Sequence, residues 1–132
     1  MILKSFSKIN LTLDVIAKLK KKKLHNIQSY FCLIDLCDQI HIKKIKRQKD
    51  RVKFKGKFLN KINKKNNSIL DTLQILRKNN FLNDYYSIVV NKRIPVFSGM
   101  GGGTGNAACL VKYLVKKRIS KEVMNTLNDK IG

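Results

Sequence analysis

Alternation between apolar and polar positions dominates much of the chain and predicts β-strands. The stretch from Met1 to Ile16 alternates in this way, which places Ile9, Leu11 and Leu13 on one face of a first strand. Further strands are predicted from Ser29 to Ile45 in two runs, the second opening at Ile40, from Val52 to a turn near Gly56, and from Tyr85 to Val90.

Helical periodicity replaces alternation in three places. The first helix is predicted to begin with Ser68 as its N-cap and Asp71 as a weak capping-box partner, and to end at Asn79 and Asn80. Strands and helices within one chain of 132 residues predict a single α+β domain. The apolar stripes are Ile69, Leu73 and Leu76 in the first helix, Ala107, Leu110, Val111, Leu114 and Val115 in the second, and Val123, Leu127 and Ile131 in the third, which Ser120 is predicted to cap.

The most specific stretch is the glycine cluster from Gly99 to Gly105, which holds five of the seven glycines and follows the only proline, Pro95. Glycine allows positive φ angles and close backbone approach, so that consecutive N–H groups can converge on an anion. The second predicted helix opens directly out of the cluster and adds the positive end of its dipole. The Walker pattern is not met, because no lysine precedes Thr104. The cluster therefore predicts a different kind of phosphate-binding loop.

Charge suggests a second class of partner. The net charge of +21 would normally indicate a nucleic acid or another anionic surface. Residues 43 to 65 hold twelve lysines or arginines and one acid, Asp50. Lysines on the outward face of strands are ordinarily solvated and protect sheet edges, which is the interpretation we prefer. A small basic nucleic-acid-binding protein is the alternative, although Phe54 and Phe58 are few aromatics for a stacking surface.

The remaining composition predicts a soluble cytoplasmic protein. The three cysteines, Cys32, Cys37 and Cys109, have no C-x-x-C spacing and are expected to be reduced and mostly buried. His25 and His41 lie far apart in sequence, so no zinc site built by the protein is expected. The sequence shows neither a secretory pattern nor an apolar run near the roughly 20 residues of a spanning helix. Oligomeric state stays open.

Several segments together carry a family resemblance. They are Ser7-Lys-Ile-Asn-Leu-Thr-Leu13, Leu24-His-Asn-Ile-Gln-Ser29, Lys92-Arg-Ile-Pro95, Gly99-Met-Gly-Gly-Gly-Thr104 and Asn106-Ala-Ala108. They resemble the galactokinase, homoserine kinase, mevalonate kinase and phosphomevalonate kinase superfamily. Within it they are most similar to the 4-diphosphocytidyl-2-C-methyl-D-erythritol kinases of non-mevalonate isoprenoid (terpenoid) biosynthesis.

The resemblance implies an ATP- and Mg²⁺-dependent transfer to the 2-hydroxyl of 4-diphosphocytidyl-2-C-methyl-D-erythritol. Lys8 would be catalytic, Asn10, His25 and Phe31 would bind the substrate, and Thr104 would lie near phosphate and Mg²⁺. Leu24 stands where the family usually stacks an aromatic residue on cytosine, so another small-molecule kinase of the superfamily is the alternative within the enzymes. The implied ATP-binding residues are Asn67 at the adenine pocket, Lys92, Pro95, Val96, Phe97, Ser98, Gly99, Met100, Gly101, Gly102, Gly103, Thr104 and Gly105.

The resemblance also implies a fold and a domain organisation. The expected fold is that of ribosomal protein S5 domain 2, with a mixed sheet covered by helices. Residues 1–132 would form an amino-terminal ATP-binding domain without the second domain of the family. The family's next motif, Gly-x-Asp-Val-Pro, would begin at Gly132, so the chain is expected to be a nearly inactive fragment.

Overall fold

A computed structural model describes residues 1–18, 25–59 and 62–131. Leu24, which stands where the family usually has an aromatic residue, lies outside the described residues, as does Gly132. The described part combines strands and helices, which confirms the predicted α+β class with a mixed sheet. Its elements are β1 (Ile2–Asn10), β2 (Asp14–Lys18), β3 (His25–Gln28), β4 (Phe31–Ile45), β5 (Arg51–Gly56), α1 (Ser68–Lys78), β6 (Tyr85–Lys92), α2 (Gly102–Leu114) and α3 (Lys121–Ile131).

The main sheet has four strands in the order β1-β4-β6-β5. The β1–β4 and β4–β6 pairs are antiparallel, whereas β5 runs parallel to β6, so the sheet is mixed. This order places the basic strand β5 at one edge. Arg51, Lys53 and Lys55 are exposed along it, while Val52 and Phe54 are half-buried on the other face. The prediction of solvated basic residues on an edge strand is confirmed.

The first strand ends earlier than the alternation predicted. β1 stops at Asn10, and the backbone N–H groups of Leu11 and Thr12 both donate to the carbonyl oxygen of Tyr30, at 2.7 and 3.3 Å. The Ser29 hydroxyl also donates to the Thr12 carbonyl oxygen at 2.6 Å, which holds the segment between β1 and β2 against the segment between β3 and β4. The pattern continues beyond this point because Asp14–Lys18 forms β2, a strand of a separate two-stranded sheet with β3. β1 therefore ends just before Leu11 and Leu13, which the alternation had placed on the same face as Ile9.

The two runs predicted between Ser29 and Ile45 form one continuous strand. β4 covers 15 residues and pairs with β1 along one edge and with β6 along the other. A shift of register between Phe6 and Ser7 of β1 absorbs the irregularity without interrupting β4. The change of pattern near Ile40 thus marks where β4 enters the core and begins to pair with β6.

The hydrophobic core lies where α1 and α2 pack against the main sheet. Burial of large aliphatic side chains from both layers is the dominant stabilising contribution of such a core. The predicted stripe of α1 is buried there, and Leu110 brings α2 into the same cluster. The buried members are Ile40, Ile42, Ile69, Leu73, Leu76, Leu82, Ile88, Val90 and Leu110.

Helix capping differs from the sequence prediction at α1. Asn67, not Ser68, is the N-cap: its backbone is extended, and its side-chain oxygen accepts the N–H of Leu70 at 3.1 Å. Ser68 already lies in the helix, so the proposed capping box between Ser68 and Asp71 was wrong. Adjacent residues of similar capping propensity explain the error.

The third helix is capped as predicted. The Ser120 hydroxyl accepts the N–H of Val123 at 3.4 Å at the start of α3. A side-chain hydrogen bond with Ser120 also holds the pKa of Glu122 below its usual value.

Three further sequence predictions concern the cysteines, metal binding and membrane-spanning helices. The three cysteines are free thiols, of which Cys37 is buried and Cys32 and Cys109 are half-buried. Within the described ranges, no group of three or more histidine, cysteine or acidic side chains could hold a metal ion. None of the helices in that part of the chain is long and apolar enough to cross a membrane.

Candidate functional site

A cavity of about 390 Å³ lies between the glycine loop, the start of α1 and the end of β6. The loop wraps one side of this cavity before it enters α2, so a ligand inside would meet backbone rather than side chains there. Of the predicted ATP-binding residues, all but Gly105 line it, namely Asn67, Lys92, Pro95, Val96, Phe97, Ser98, Gly99, Met100, Gly101, Gly102, Gly103 and Thr104.

The glycine loop has the backbone geometry of an anion cradle. Gly99 and Gly101 have φ angles of +74° and +72°, and Gly101 is the N-cap of α2 without any side-chain cap. The first intrahelical hydrogen bond runs from the Gly105 N–H to the Gly101 carbonyl oxygen at 2.7 Å. The N–H groups of residues 102–104 precede it and have no acceptor within the helix. An uncapped helix start beside a cavity fits a phosphate group.

Gly105 differs from the rest of the loop because it serves packing. A Cβ on Gly105 would lie 2.9 Å from the Ser5 hydroxyl oxygen, so α2 approaches β1 too closely for a larger residue. Gly105 also stands outside the lining of the cavity. Its predicted contact with ATP therefore has no counterpart in the cavity, because Gly105 faces Ser5 and Phe6 of β1 instead.

Strand β1 brings Lys8 to the glycine loop. The Lys8 backbone N–H donates to the Met100 carbonyl oxygen at 3.1 Å. The aliphatic carbons of the Lys8 side chain lie 3.6 to 3.8 Å from the position that a Cβ on Gly101 would take. The structure thus places the predicted catalytic lysine against the N-cap of α2.

Two of the three predicted substrate residues lie beside Lys8. The Lys8 ammonium nitrogen stands 5.8 Å from the centre of the Phe31 ring, a cation–π distance. Asn10 is the pairing partner of Phe31 across β1 and β4. The Phe31 side chain is 59% exposed, so its face is open to a ligand.

His25 lies on the separate sheet, opposite Lys18 in the β2–β3 pair, and is exposed. Among the described residues, no hydrogen bond or ion pair joins His25 to Lys8 or to the loop. Neither His25, Asn10 nor Phe31 lines the cavity. The predicted residues therefore fall into two groups, one around the cavity and one on the strand ends beyond Lys8.

A buried carboxylate that the sequence reasoning did not identify connects the cavity to the core. Asp38 is 0% exposed, and its Oδ2 atom accepts hydrogen bonds from the Lys92 ammonium group and from Asn106 Nδ2, the latter at 2.9 Å. Its Oδ1 atom accepts the backbone N–H groups of Arg93 at 2.8 Å and of Ile94 at 2.9 Å. The sequence could have indicated this residue, because a carboxylate at a core-facing position of a strand requires polar partners.

Other residues around the cavity also escaped the sequence reasoning. Phe54 of the basic strand is among them, so this aromatic belongs to the cavity rather than to a surface for stacking bases. Asn67 has both side-chain groups engaged locally, since its Nδ2 donates to the Asn63 carbonyl oxygen at 3.1 Å. The additional lining residues are Phe54, Ile62, Asn63, Asn66, Ser68, Asn106 and Ile131.

Comparison with solved structures identifies the fold. The chain superimposes with a TM-score of 0.68 on a crystal structure of a 4-(cytidine 5'-diphospho)-2C-methyl-D-erythritol kinase. The match covers 96% of this chain and 46% of that one, at 21% identity. No family model matches the chain. The fold is thus that of about half of a small-molecule kinase.

Sequence comparison shows which small-molecule kinases the chain is related to. The 4-diphosphocytidyl-2-C-methyl-D-erythritol kinase of Pelagibacter ubique is 42% identical over 120 residues, which are 90% of this chain and 42% of that relative. The kinase of the same name from Ureaplasma parvum is 35% identical over 121 residues, covering 91% of this chain and 45% of that one. The chain is therefore a homologue of the 4-diphosphocytidyl-2-C-methyl-D-erythritol kinases and spans less than half the length of these two. The resemblance carried by the motifs is confirmed.

Proposed function

We propose that the chain is the amino-terminal, ATP-binding part of a 4-diphosphocytidyl-2-C-methyl-D-erythritol kinase. The reaction transfers the γ-phosphoryl group of ATP to the 2-hydroxyl of the cytidyl substrate, a step of non-mevalonate isoprenoid synthesis. The observation that carries this proposal is the uncapped start of α2 at the cavity, with Lys8 packed against its N-cap.

The cavity supplies the groups that a nucleoside triphosphate requires. The N–H groups at the start of α2 would receive phosphate oxygens, and the helix dipole would favour their charge. Thr104 is exposed in the first turn of α2, where its hydroxyl would lie near a phosphate-bound Mg²⁺. Mg²⁺ bound with ATP neutralises charge that develops on the phosphates. Asn67 and the residues around it would border the adenine.

Lys8 would act at the other end of the triphosphate. Its charge would stabilise the substrate alkoxide and the negative charge on the transferred group. Electrostatic stabilisation of this kind is usually the largest single contribution of a protein to such reactions. Phe31 offers an open aromatic face for the cytosine ring, and Asn10 offers an amide beside it. His25 is assigned to the substrate by the resemblance alone.

The same proposal predicts that the 132-residue chain transfers phosphate poorly. The sequence Asp-Val-Pro does not occur in it, and the relatives are more than twice as long as the matched segments. We assign the aspartate that orients the accepting hydroxyl, and the lobe that closes over the substrate, to that further length. Loss of a general base alone costs about 10²- to 10⁴-fold in rate.

A transfer assay tests the proposal. The purified chain and the Pelagibacter ubique kinase would be incubated with Mg²⁺, γ-labelled ATP and the cytidyl substrate, and ATP binding would be measured in parallel. We expect the chain to bind ATP while its transfer rate stays at least about 100-fold below that of the relative. Failure to bind ATP would contradict the assigned function. Robust transfer would contradict the assignment of the base and would direct attention to Asp14 or Asp129.

A further inference from the structure

We infer that Asp38 is a positioning residue of the nucleotide site, which orients Lys92 and Asn106 at the cavity and anchors the backbone that leads into the glycine loop. This inference rests on the proposed function and adds a residue that the site's sequence motifs do not contain. Asp38 lies on β4, more than fifty residues before the groups that it binds.

Among the described residues, the Asp38 carboxylate accepts four hydrogen bonds, all from groups at the cavity or at its entrance. Lys92 is the last residue of β6 and lines the cavity, and Asn106 reaches the same cavity from α2. The N–H groups of Arg93 and Ile94 begin the segment that continues into the loop. The side chain of Asp38 is fully buried and does not line the cavity itself, so it can act only through these partners.

Asp38 determines which way Asn106 presents its amide. A carboxylate oxygen can only accept, so the NH₂ group of Asn106 must face Asp38. The Asn106 Oδ1 atom is consequently fixed as an acceptor, and it is buried without a hydrogen-bond partner among the residues that the structure describes. A buried acceptor left unpaired is costly, so the bond to Asp38, rather than a partner of Oδ1, sets the orientation of the Asn106 amide.

Asp38 also fixes the ammonium group of Lys92 beside the start of α2. A Cβ on Gly102 would lie 3.1 Å from the Lys92 nitrogen, so the charge stands directly under the first residue of the helix. One of its three donors is used by Asp38, which leaves the other two for the phosphate end of the cavity. Without the carboxylate, no ion pair would hold the flexible Lys92 side chain in this position.

The variant Asp38→Asn tests the inference because charge alone predicts the opposite result. Removal of a negative charge near a phosphate site would strengthen anion binding by simple electrostatics. Loss of orientation instead weakens it. We expect the ATP affinity of Asp38→Asn to fall about tenfold or more while AMP affinity changes less, since Lys92 stands at the phosphate end. We also expect the effect to be smaller in a Lys92→Met background, because the part that acts through Lys92 is already lost.

Asp50→Asn is the matched control. Asp50 likewise joins a cation and a backbone amide, because it accepts from the Arg77 side chain at 2.8 Å and from the Tyr86 N–H at 2.7 Å, and it does not line the cavity. This variant should lower the unfolding temperature without changing nucleotide affinity. If Asp38→Asn behaves in the same way, or binds ATP as tightly as the unmodified chain, the inference is overturned and the proposed function is untouched.

A second measurement needs no nucleotide and separates the two proposals. Amide NMR spectra of the free chain should show that Asp38→Asn shifts the resonances of residues 101–104, whereas Asp50→Asn leaves them in place. If the unmodified chain binds no ATP, the proposed function fails, and these spectra still decide the role of Asp38. Unchanged loop resonances in Asp38→Asn would refute that role.

Discussion

The backbone N–H of Lys8 donates to the carbonyl oxygen of Met100 at 3.1 Å, so the first strand and the glycine loop are directly joined. The two residues lie far apart in sequence, yet each belongs to a motif that the family resemblance assigns to one reaction. Their contact places the charge of Lys8 next to the backbone that would hold the phosphates.

Lys8→Met should weaken ATP binding more than ADP binding. Methionine retains most of the aliphatic stem that packs near Gly101, but it removes the charge that we place at the γ-phosphate. A hydrogen bond to a charged group contributes about 1.5 to 3 kcal/mol, which corresponds to roughly tenfold or more in affinity. Calorimetric titration with both nucleotides measures the difference.

Lys4→Met provides the control for that experiment. Lys4 is exposed on the same strand, opposite Gln39 and away from the cavity. The variant therefore removes the same charge at a position where we expect no contact with phosphate. An equal loss of ATP affinity in both variants would mean that only net charge matters, and Lys8 would lose its assigned role.

Gly102→Val should abolish ATP binding through lack of space. A Cβ at this position would lie 3.1 Å from both the Lys92 nitrogen and the Ile94 Cγ2 atom. The φ angle of Gly102 is not in the left-handed region, so steric contact, rather than backbone strain, is the cause. Ala108→Val puts the same side chain on an exposed position of α2 and should retain binding. Normal affinity in a folded Gly102→Val chain would disprove the assignment of the loop.

Gly105 and Ser5 should be coupled in stability. Gly105→Ala would place its Cβ 2.9 Å from the Ser5 hydroxyl oxygen, which offsets the gain of about 1 kcal/mol that alanine brings to a helix. Ser5→Ala removes that oxygen, which is buried and has no hydrogen-bond partner within residues 1–18, 25–59 and 62–131. We expect the double variant to be about 1 kcal/mol more stable than Gly105→Ala alone. Denaturant unfolding measures this difference, and strictly additive effects would show that the contact does not restrict the helix.

Nucleic-acid binding should be weak at physiological salt and blind to sequence. The exposed cations of β5 alternate with inward residues, and Lys44 is already paired with Asp84 at 2.7 Å. Binding by such a surface comes from counterion release and therefore falls steeply as salt rises. Filter binding with several sequences at increasing salt measures this. Sequence-selective binding at physiological salt would favour a nucleic-acid function over the kinase.

The sequence was informative where one residue pattern determines local geometry. Glycines followed by an apolar stripe predicted both the loop and α2, and the lysine-rich alternation predicted the edge strand β5. Both signals are local, because they depend on backbone freedom and on the period of side-chain burial. The end of β1 was not predictable in this way, because its position depends on hydrogen bonds to Tyr30, which lies between β3 and β4.

In the candidate site, too, residues of a local motif could be predicted, whereas partners that are distant in sequence could not. Lys92 was assigned to the nucleotide from the motif, but its partner Asp38 lies far away in sequence, and only the β4–β6 pairing brings them together. Asn106 was noted only as part of a motif. Its place at the cavity could not be predicted, because the orientation of its side chain depends on Asp38, which is distant in sequence. Gly105 was assigned to the phosphate loop by the family resemblance, whereas in the structure it packs against Ser5.

Titration of the purified chain with Mg²⁺ and ATP at physiological salt, followed by amide NMR, tests the central claim most directly. We predict saturable binding of one ATP per chain, with the largest shifts at residues 101–104 and at Lys92 around the cavity. Absence of saturable binding, or shifts confined to the basic residues 43–65, would contradict the assignment of the glycine loop as the nucleotide site of a kinase.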